Sequence, residues 1–249
     1  MATIQTGIRK LREFIFHELA GWKKVELAWL IFSLFAIAVV SIITGDTALG
    51  IVSAVSGIIS AVLTGKGKPS CYLFGAVYAF TYVLITFRAA YYLSFFFELL
   101  FILPMEFVGL YLWIKHMNKE THEVHKRQMR NRTRILTILG VIAASLLLGL
   151  LMQITNDPLP FIDSFTTVTM AVAMFLAVMR YSEQWVVWIV VNVLGTLLWV
   201  RSFLTSGENG AVLMLWIIYV ANSIIMCIKW YRETKKHPVH AEAKPESGA

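Results

Sequence analysis

Between Ile135 and Ile154 the chain reads ILTILGVIAASLLLGLLMQI, twenty residues without a single charge. A helix rises about 1.5 Å per residue, so this stretch reaches about 30 Å, the thickness of a bilayer's hydrocarbon core. Arg130, Arg132 and Arg134 stand just before it, where basic residues stand at the cytoplasmic end of a span. Working outward, four more apolar runs precede it (Val25 to Thr44, Ala48 to Thr64, Cys71 to Phe87, Tyr91 to Ile114). Three follow (Phe161 to Met179, Trp185 to Val200, Ala211 to Trp230). The sequence therefore predicts an all-α membrane protein of eight transmembrane helices.

The composition agrees. Charged residues make up 15% and hydrophobic ones 58%, whereas a soluble domain needs roughly 25% charge to coat its surface. A formal charge of +7 would point to nucleic acid in a soluble protein; here it reports topology. With both termini placed in the cytoplasm, every lysine and arginine of the 22 falls on the inner side except Arg88 and Arg201. Outer turns carry Asp46, Asp157, Asp163 and Glu208. That bias is the positive-inside rule, and a miscounted span would scramble it. Cys71 and Cys227 sit in apolar runs and read as buried apolar residues rather than a disulfide framework. No small-residue cleavage site follows the first run, so it is read as a retained span.

The expected organisation is a 1–24 interfacial amphipathic segment, with Ile8, Leu11, Ile15 and Leu19 on one face, then a single transmembrane domain over 25–234. Within that domain lie an extra span 25–44, repeat one 48–114, a linker span 135–154 and repeat two 161–230; a cytoplasmic tail occupies 235–249. The repeat rests on topology more than on identities. Both units start on the outer side, Arg88 falls on Arg201 after a shift of 113, and Ile114-Lys115 and Ile228-Lys229 close them. Parallel triple-helix repeats are one transporter design, with the substrate site between them near the midplane.

Polar groups inside the spans mark the candidate site. At about 100° per residue, Trp185, Trp188, Asn192, Thr196 and Trp199 form one stripe on span seven, with Gln184 at its start. Trp185 and Trp199 near the span ends suit equally a headgroup belt; Trp188 and Asn192 lie deeper and serve either a ligand or helix–helix bonding. Tyr219 and Asn222 share a face of span eight, with the same two readings for Asn222. Glu98 and Glu106 lie within span four, where ionisable groups are costly, and Pro104 is expected to kink that helix. Tyr78, Tyr82 and Arg88 line span three. His116, His122 and His125 belong to a central basic loop read as solvated, without acidic or cysteine partners for a metal. No Walker loop, HExxH or GxSxG occurs, so neither an ATP-driven pump nor a common hydrolase is expected. No cofactor is expected.

The W-x-x-W-x-x-x-N pattern of Trp185, Trp188 and Asn192 resembles the signature of the PnuC family of nicotinamide riboside transporters, and the likeness extends through the eight spans, the three-plus-one-plus-three core and the basic loop. Only those three residues match the motif one by one. The resemblance implies facilitated diffusion of nicotinamide riboside by a homotrimer with a fold similar to the SWEET sugar transporters, in a bacterial inner membrane. A cytoplasmic riboside kinase would trap the product. Relatives take other vitamins, including thiamine and riboflavin. The ligand's chemistry suits the residues: a pyridinium stacks on tryptophan or tyrosine, and asparagine amides pair with a carboxamide or sugar hydroxyls. A phosphorylated nucleotide would want Lys or Arg at mid-depth, and none is there. Proton coupling through Glu98 or Glu106, a membrane-embedded enzyme and a non-transporting receptor are the rival expectations.

Overall fold

The computed structural model describes residues 21–89, 92–118, 120–154 and 160–236. The interfacial segment expected before residue 21 and the tail beyond residue 236 lie outside the described residues, as do Tyr91 and Asp157. The helices are α1 (Lys24–Thr44), α2 (Ala48–Lys66), α3 (Cys71–Arg88), α4 (Tyr92–Phe97), α5 (Leu103–Lys115), α6 (Asn131–Met152), α7 (Pro160–Val178), α8 (Gln184–Ser206) and α9 (Gly210–Lys236). A π-helical turn, Glu98–Ile102, joins α4 to α5. Among the described residues, eight helices are long and apolar enough to cross a membrane.

Local chemistry sets the ends. Glu26 accepts the backbone N–H of Lys23 at 3.0 Å and so caps α1. Thr47 accepts from Gly50 N at 3.2 Å at the start of α2. Gly67 (φ 83°) and Gly207 (φ 73°) stop α2 and α8 in the left-handed conformation that glycine adopts without a Cβ clash. Because Gly207 is the stop signal, α8 runs six residues past the expected end at Val200. α9 continues past Trp230 to Lys236, so the expected start of the tail at residue 235 is helical instead. The Pro104 kink takes the form of the π-helical turn just before it. Pro104 sits in the first turn of α5, where it has no N–H to offer the preceding turn, and the wider π spacing accommodates its ring.

Six spans close into a ring: α2 packs on α3, α3 on α5, α5 on α7, α7 on α8, α8 on α9, and α9 back on α2. α1 lies outside against α2 and α9, while α6 lies outside against α7. Only Ser145 and Gly149 of α6 are buried, Gly149 beneath the Phe161 ring; the rest of that helix turns Ile and Leu side chains outward. This is what lipid exposure requires.

The central basic loop keeps most of its side chains exposed or part-buried, as expected, but it is anchored at two buried residues. It straps the end of the ring where Lys66, Arg180 and Lys229 lie. Val124 N donates to Gly67 O (2.8 Å), Arg127 N to Arg180 O (2.9 Å) and Ser182 N to Arg127 O (2.9 Å). Met129 N donates to the Glu183 carboxylate at 3.1 Å, which also binds Arg134 Nη2 at 2.6 Å. Val124 and Met129 are buried. The periodicity of a span cannot report such packing, because the loop is polar overall and its two apolar anchors are single residues. His116, His122 and His125 form no metal-binding group among the described residues.

Glu26 ties the first helix to this end. Its carboxylate accepts from Lys66 Nζ (2.7 Å) and from Lys229 Nζ (2.8 Å). Lys66 also faces Glu123 at 3.8 Å, and Lys126 of the strap pairs with Glu123 and Glu233. Lys66 is buried and Glu26 part-buried, so the loss falls below that for a fully buried pair, and Glu26→Gln is expected to destabilise the fold by about 1–2 kcal/mol. Thermal unfolding in detergent checks this; an unchanged melting temperature contradicts it.

Candidate functional site

The ring surrounds a cavity, and each helix of the ring contributes to it. α8 brings Trp185, Trp188 and Asn192; α9 brings Trp216, Tyr219, Asn222 and Ser223; the π turn and α5 bring Glu98, Ile102 and Glu106. α3 adds Tyr72, Gly75 and Tyr78, α2 adds Ser60, Ala61 and Thr64, and α7 adds Met170, Met174 and Ala177. Of the residues singled out in the sequence, Trp185, Trp188, Asn192, Tyr219, Asn222 and Glu98 therefore meet around one space, and Glu106, Tyr78 and Trp216 join them.

Two do not. Thr196 donates to the carbonyl of Asn192 at 2.7 Å, the usual recourse of a threonine inside an apolar helix, and is not part of the lining. Gln184 is fully buried beyond the cavity. Trp199 is no belt residue either: it is completely buried and its Nε1 donates to Tyr82 Oη at 2.9 Å. Trp185 is likewise buried in the lining rather than at a headgroup. An indole in the ring interior is shielded from lipid by the flanking helices, which span position alone does not reveal. Arg88, at the far end of α3, is exposed.

The two asparagines combine their alternative roles. Asn192 Nδ2 donates to Tyr219 O (3.2 Å) and Ser223 Oγ (2.6 Å), tying α8 to α9; neither bond uses its Oδ1. Asn222 accepts from Trp29 Nε1 of α1 (3.2 Å) and donates to Ala61 O of α2 (3.4 Å). Such bonds hold polar groups inside a membrane protein, and here they also set the amides at the cavity wall. Close packing shapes the rest. A side chain at Gly75 would run into the Glu106 carboxylate, and one at Gly195 into the Trp216 ring.

Several lining groups have no protein partner: Glu98 Oε2, Tyr72 Oη, Trp185 Nε1 and Trp216 Nε1. Buried polar atoms are normally satisfied, so this cluster of unmet donors and acceptors around one cavity is the mark of a place for a polar ligand. Aromatic layers cover it on both sides. Toward the strapped end, Tyr72 meets Trp113 edge-on (5.0 Å), and Trp230 bridges Trp113 (6.4 Å) and Trp185 (5.8 Å). Toward the other end, Tyr82 packs with Trp199 (5.9 Å) and Trp216 (6.3 Å).

Apart from Tyr78, the lining residues of α2, α3 and α7 carry no signal in the sequence. Ser60 and Thr64 are spaced by one turn, and so are Met170 and Met174, but serine and methionine in apolar spans are too common to signal a site. Gly75 gives no signal of its own; only the carboxylate lying over it explains it.

A ring of membrane-spanning helices around an aromatic-lined cavity that holds a few unpartnered polar groups fits a carrier of small solutes. Over residues 47–232 the chain matches the family described as nicotinamide mononucleotide transporter. It is 35% identical over 223 residues to the nicotinamide riboside transporter PnuC of Neisseria mucosa, covering 87% of this chain and 84% of that protein. To the nicotinamide riboside transporter PnuC of Haemophilus influenzae it is 28% identical over 230 residues, covering 92% and 97%. A crystal structure of the vitamin B3 transporter PnuC superposes with a TM-score of 0.80 at 33% identity, covering 89% of this chain and 97% of that one. The chain belongs to this transporter family, the one its W-x-x-W-x-x-x-N stripe resembles, and so is a transporter and not an enzyme.

Proposed function

We propose that the protein carries nicotinamide riboside across a bacterial inner membrane by facilitated diffusion with alternating access. The observation that carries this reading is the chemistry of the cavity wall: two carboxylates, Glu98 and Glu106, and six aromatic rings, with no lysine or arginine in the lining among the described residues. Such a wall suits a flat cation. A pyridinium gains about 0.5–2 kcal/mol on an aromatic face and more from an acidic group that ionises against it away from bulk water. The wall opposes a phosphate, which would meet two acids and no base. Although the family is described by the mononucleotide, the riboside fits these residues better, and it is the solute named for both PnuC relatives.

In this reading Trp185, Trp188, Trp216 and Tyr219 stack on the ring, while Asn192 Oδ1, Asn222 and the unpartnered indole N–H groups meet the carboxamide and ribose hydroxyls. Glu98 is the counter-charge, brought inward by the π turn. Thr196 stays a structural residue of α8. An inside-negative potential draws the cation inward by about 2.3 kcal/mol per 100 mV, so uptake needs no coupled ion.

The finer organisation follows the same lines. α2–α5 and α7–α9 form the two three-span units, α6 is the linker span on the ring's outside and α1 the extra span, which supports a parallel three-plus-one-plus-three repeat of SWEET type. Both termini lie in the cytoplasm, as the lysine and arginine bias favours, so the strapped end is the cytoplasmic one. A homotrimer and a cytoplasmic riboside kinase that traps the product rest on the family resemblance.

Calorimetry with the purified protein tests the assignment. Wild type is expected to bind nicotinamide riboside, and Trp188→Ala and Asn192→Ala to weaken it at least tenfold while remaining folded. The mononucleotide is expected not to compete. Absence of riboside binding overturns the substrate, and direct binding of thiamine, another flat cation, would then identify the alternative that the acidic wall permits.

A further inference from the structure

Gln184 opens α8 one turn before Trp188 and two before Asn192, on the same flank of the helix. Its side chain is completely buried, and neither amide atom has a hydrogen-bond partner. The amide can make four hydrogen bonds, and leaving them unmade away from water is costly. Leucine or methionine would fill the same space without that penalty, so packing alone does not account for a glutamine here.

Its surroundings suggest what does. Trp188 and Asn192 line the cavity; Gln184 lies past them toward the strapped end, at the level where Trp185 and Trp230 close the aromatic floor. Arg180, in the turn that leads into α8, is also buried, with its Nε unpartnered. Its backbone is held at φ 63° while its carbonyl accepts Arg127 N of the strap at 2.9 Å. Burial pulls the Arg180 pKa below its usual value, Arg127 adds to the effect, and Tyr72 and Tyr181 oppose it. Unmet polar groups thus flank the floor from both sides: Tyr72 Oη and Trp185 Nε1 above, Gln184 and Arg180 Nε beyond.

We propose that Gln184 is a second, transit contact for the uncharged polar groups of the solute, its carboxamide or sugar hydroxyls, engaged when the aromatic floor parts and not in the closed state. The proposal rests on the riboside-transport reading. The Arg180 guanidinium repels a pyridinium, so the station serves the neutral end of the molecule and does not retain the ring. In the closed state the amide waits without partners, which raises the energy of that state relative to the one in which the floor is open.

The test compares full-length wild type with Gln184→Leu and Gln184→Met in three measurements: calorimetric binding of nicotinamide riboside, thermal unfolding, and uptake into proteoliposomes. Both variants are expected to bind within twofold of wild type, to melt at the same or a higher temperature, and to transport at about one tenth of the maximal rate. Unchanged uptake by a folded variant overturns the proposal and leaves the riboside reading standing. A tenfold loss of binding also overturns it, by placing Gln184 in the resting site. Failure of wild type to bind the riboside overturns that reading and this proposal together. The melting curve identifies a variant that has not folded, and the other variant then decides.

Discussion

Exchange of Glu98 and Glu106 together for glutamine will weaken binding of nicotinamide riboside about a hundredfold, or about 2.7 kcal/mol. Both carboxyl groups belong to the cavity wall and are buried, at 4% and 8% exposure, so little water screens them. A unit charge about 4 Å from an opposite one gains about 4 kcal/mol at an effective dielectric constant of 20. Glutamine keeps the shape and removes the ability to carry a negative charge opposite the bound pyridinium. The decisive control is the dihydropyridine form of the riboside, whose ring is uncharged: its binding should change no more than about twofold. Calorimetry with both ligands reads the difference. Equal weakening of both would show that the carboxylates act on hydroxyls rather than on the cation, and the electrostatic basis for the substrate would fall.

Trp230→Ala is expected to cost about 3–5 kcal/mol of stability, the range for truncating a buried tryptophan. Trp230 is fully buried at the strapped end. Its Nε1 donates to Gly65 O at 2.9 Å, its ring packs against Trp113 and Trp185, and Lys126 of the strap sits over its face at 5.3 Å. One side chain thus joins α2, α5, α8, α9 and the central loop. Alanine leaves a void among rings too stiff to close it, and it leaves Gly65 O with only the longer bond from Lys229 Nζ, at 3.3 Å. Thermal unfolding in detergent measures the loss, and a change of less than 1 kcal/mol would mean that the floor is not a structural keystone. Trp230→Phe should recover most of the packing while still losing the bond to Gly65.

The eight spans were legible because hydrocarbon imposes a local rule: each span needs its own run of apolar residues, and the W-x-x-W-x-x-x-N stripe needs only helical periodicity to align. Glu98 and Glu106 stood out because a charge in an apolar run is conspicuous wherever it points. By contrast, Thr196 shares the stripe with Asn192 yet turns to its own helix's carbonyl, and Trp199 shares it yet bonds Tyr82 in the core. Gly75, Ser60 and Met174 belong to the cavity and carry no mark of it.

By itself, then, the sequence determined the number of spans, the helix faces that carry polar groups and the family. Tertiary structure alone decided which six spans close the ring, which stripe residues reach the cavity, and that a basic loop covers one end of it. The physical reason is that lipid tails are as apolar as a protein interior, so hydropathy shows that a segment leaves water without showing whether its neighbour is lipid or another helix.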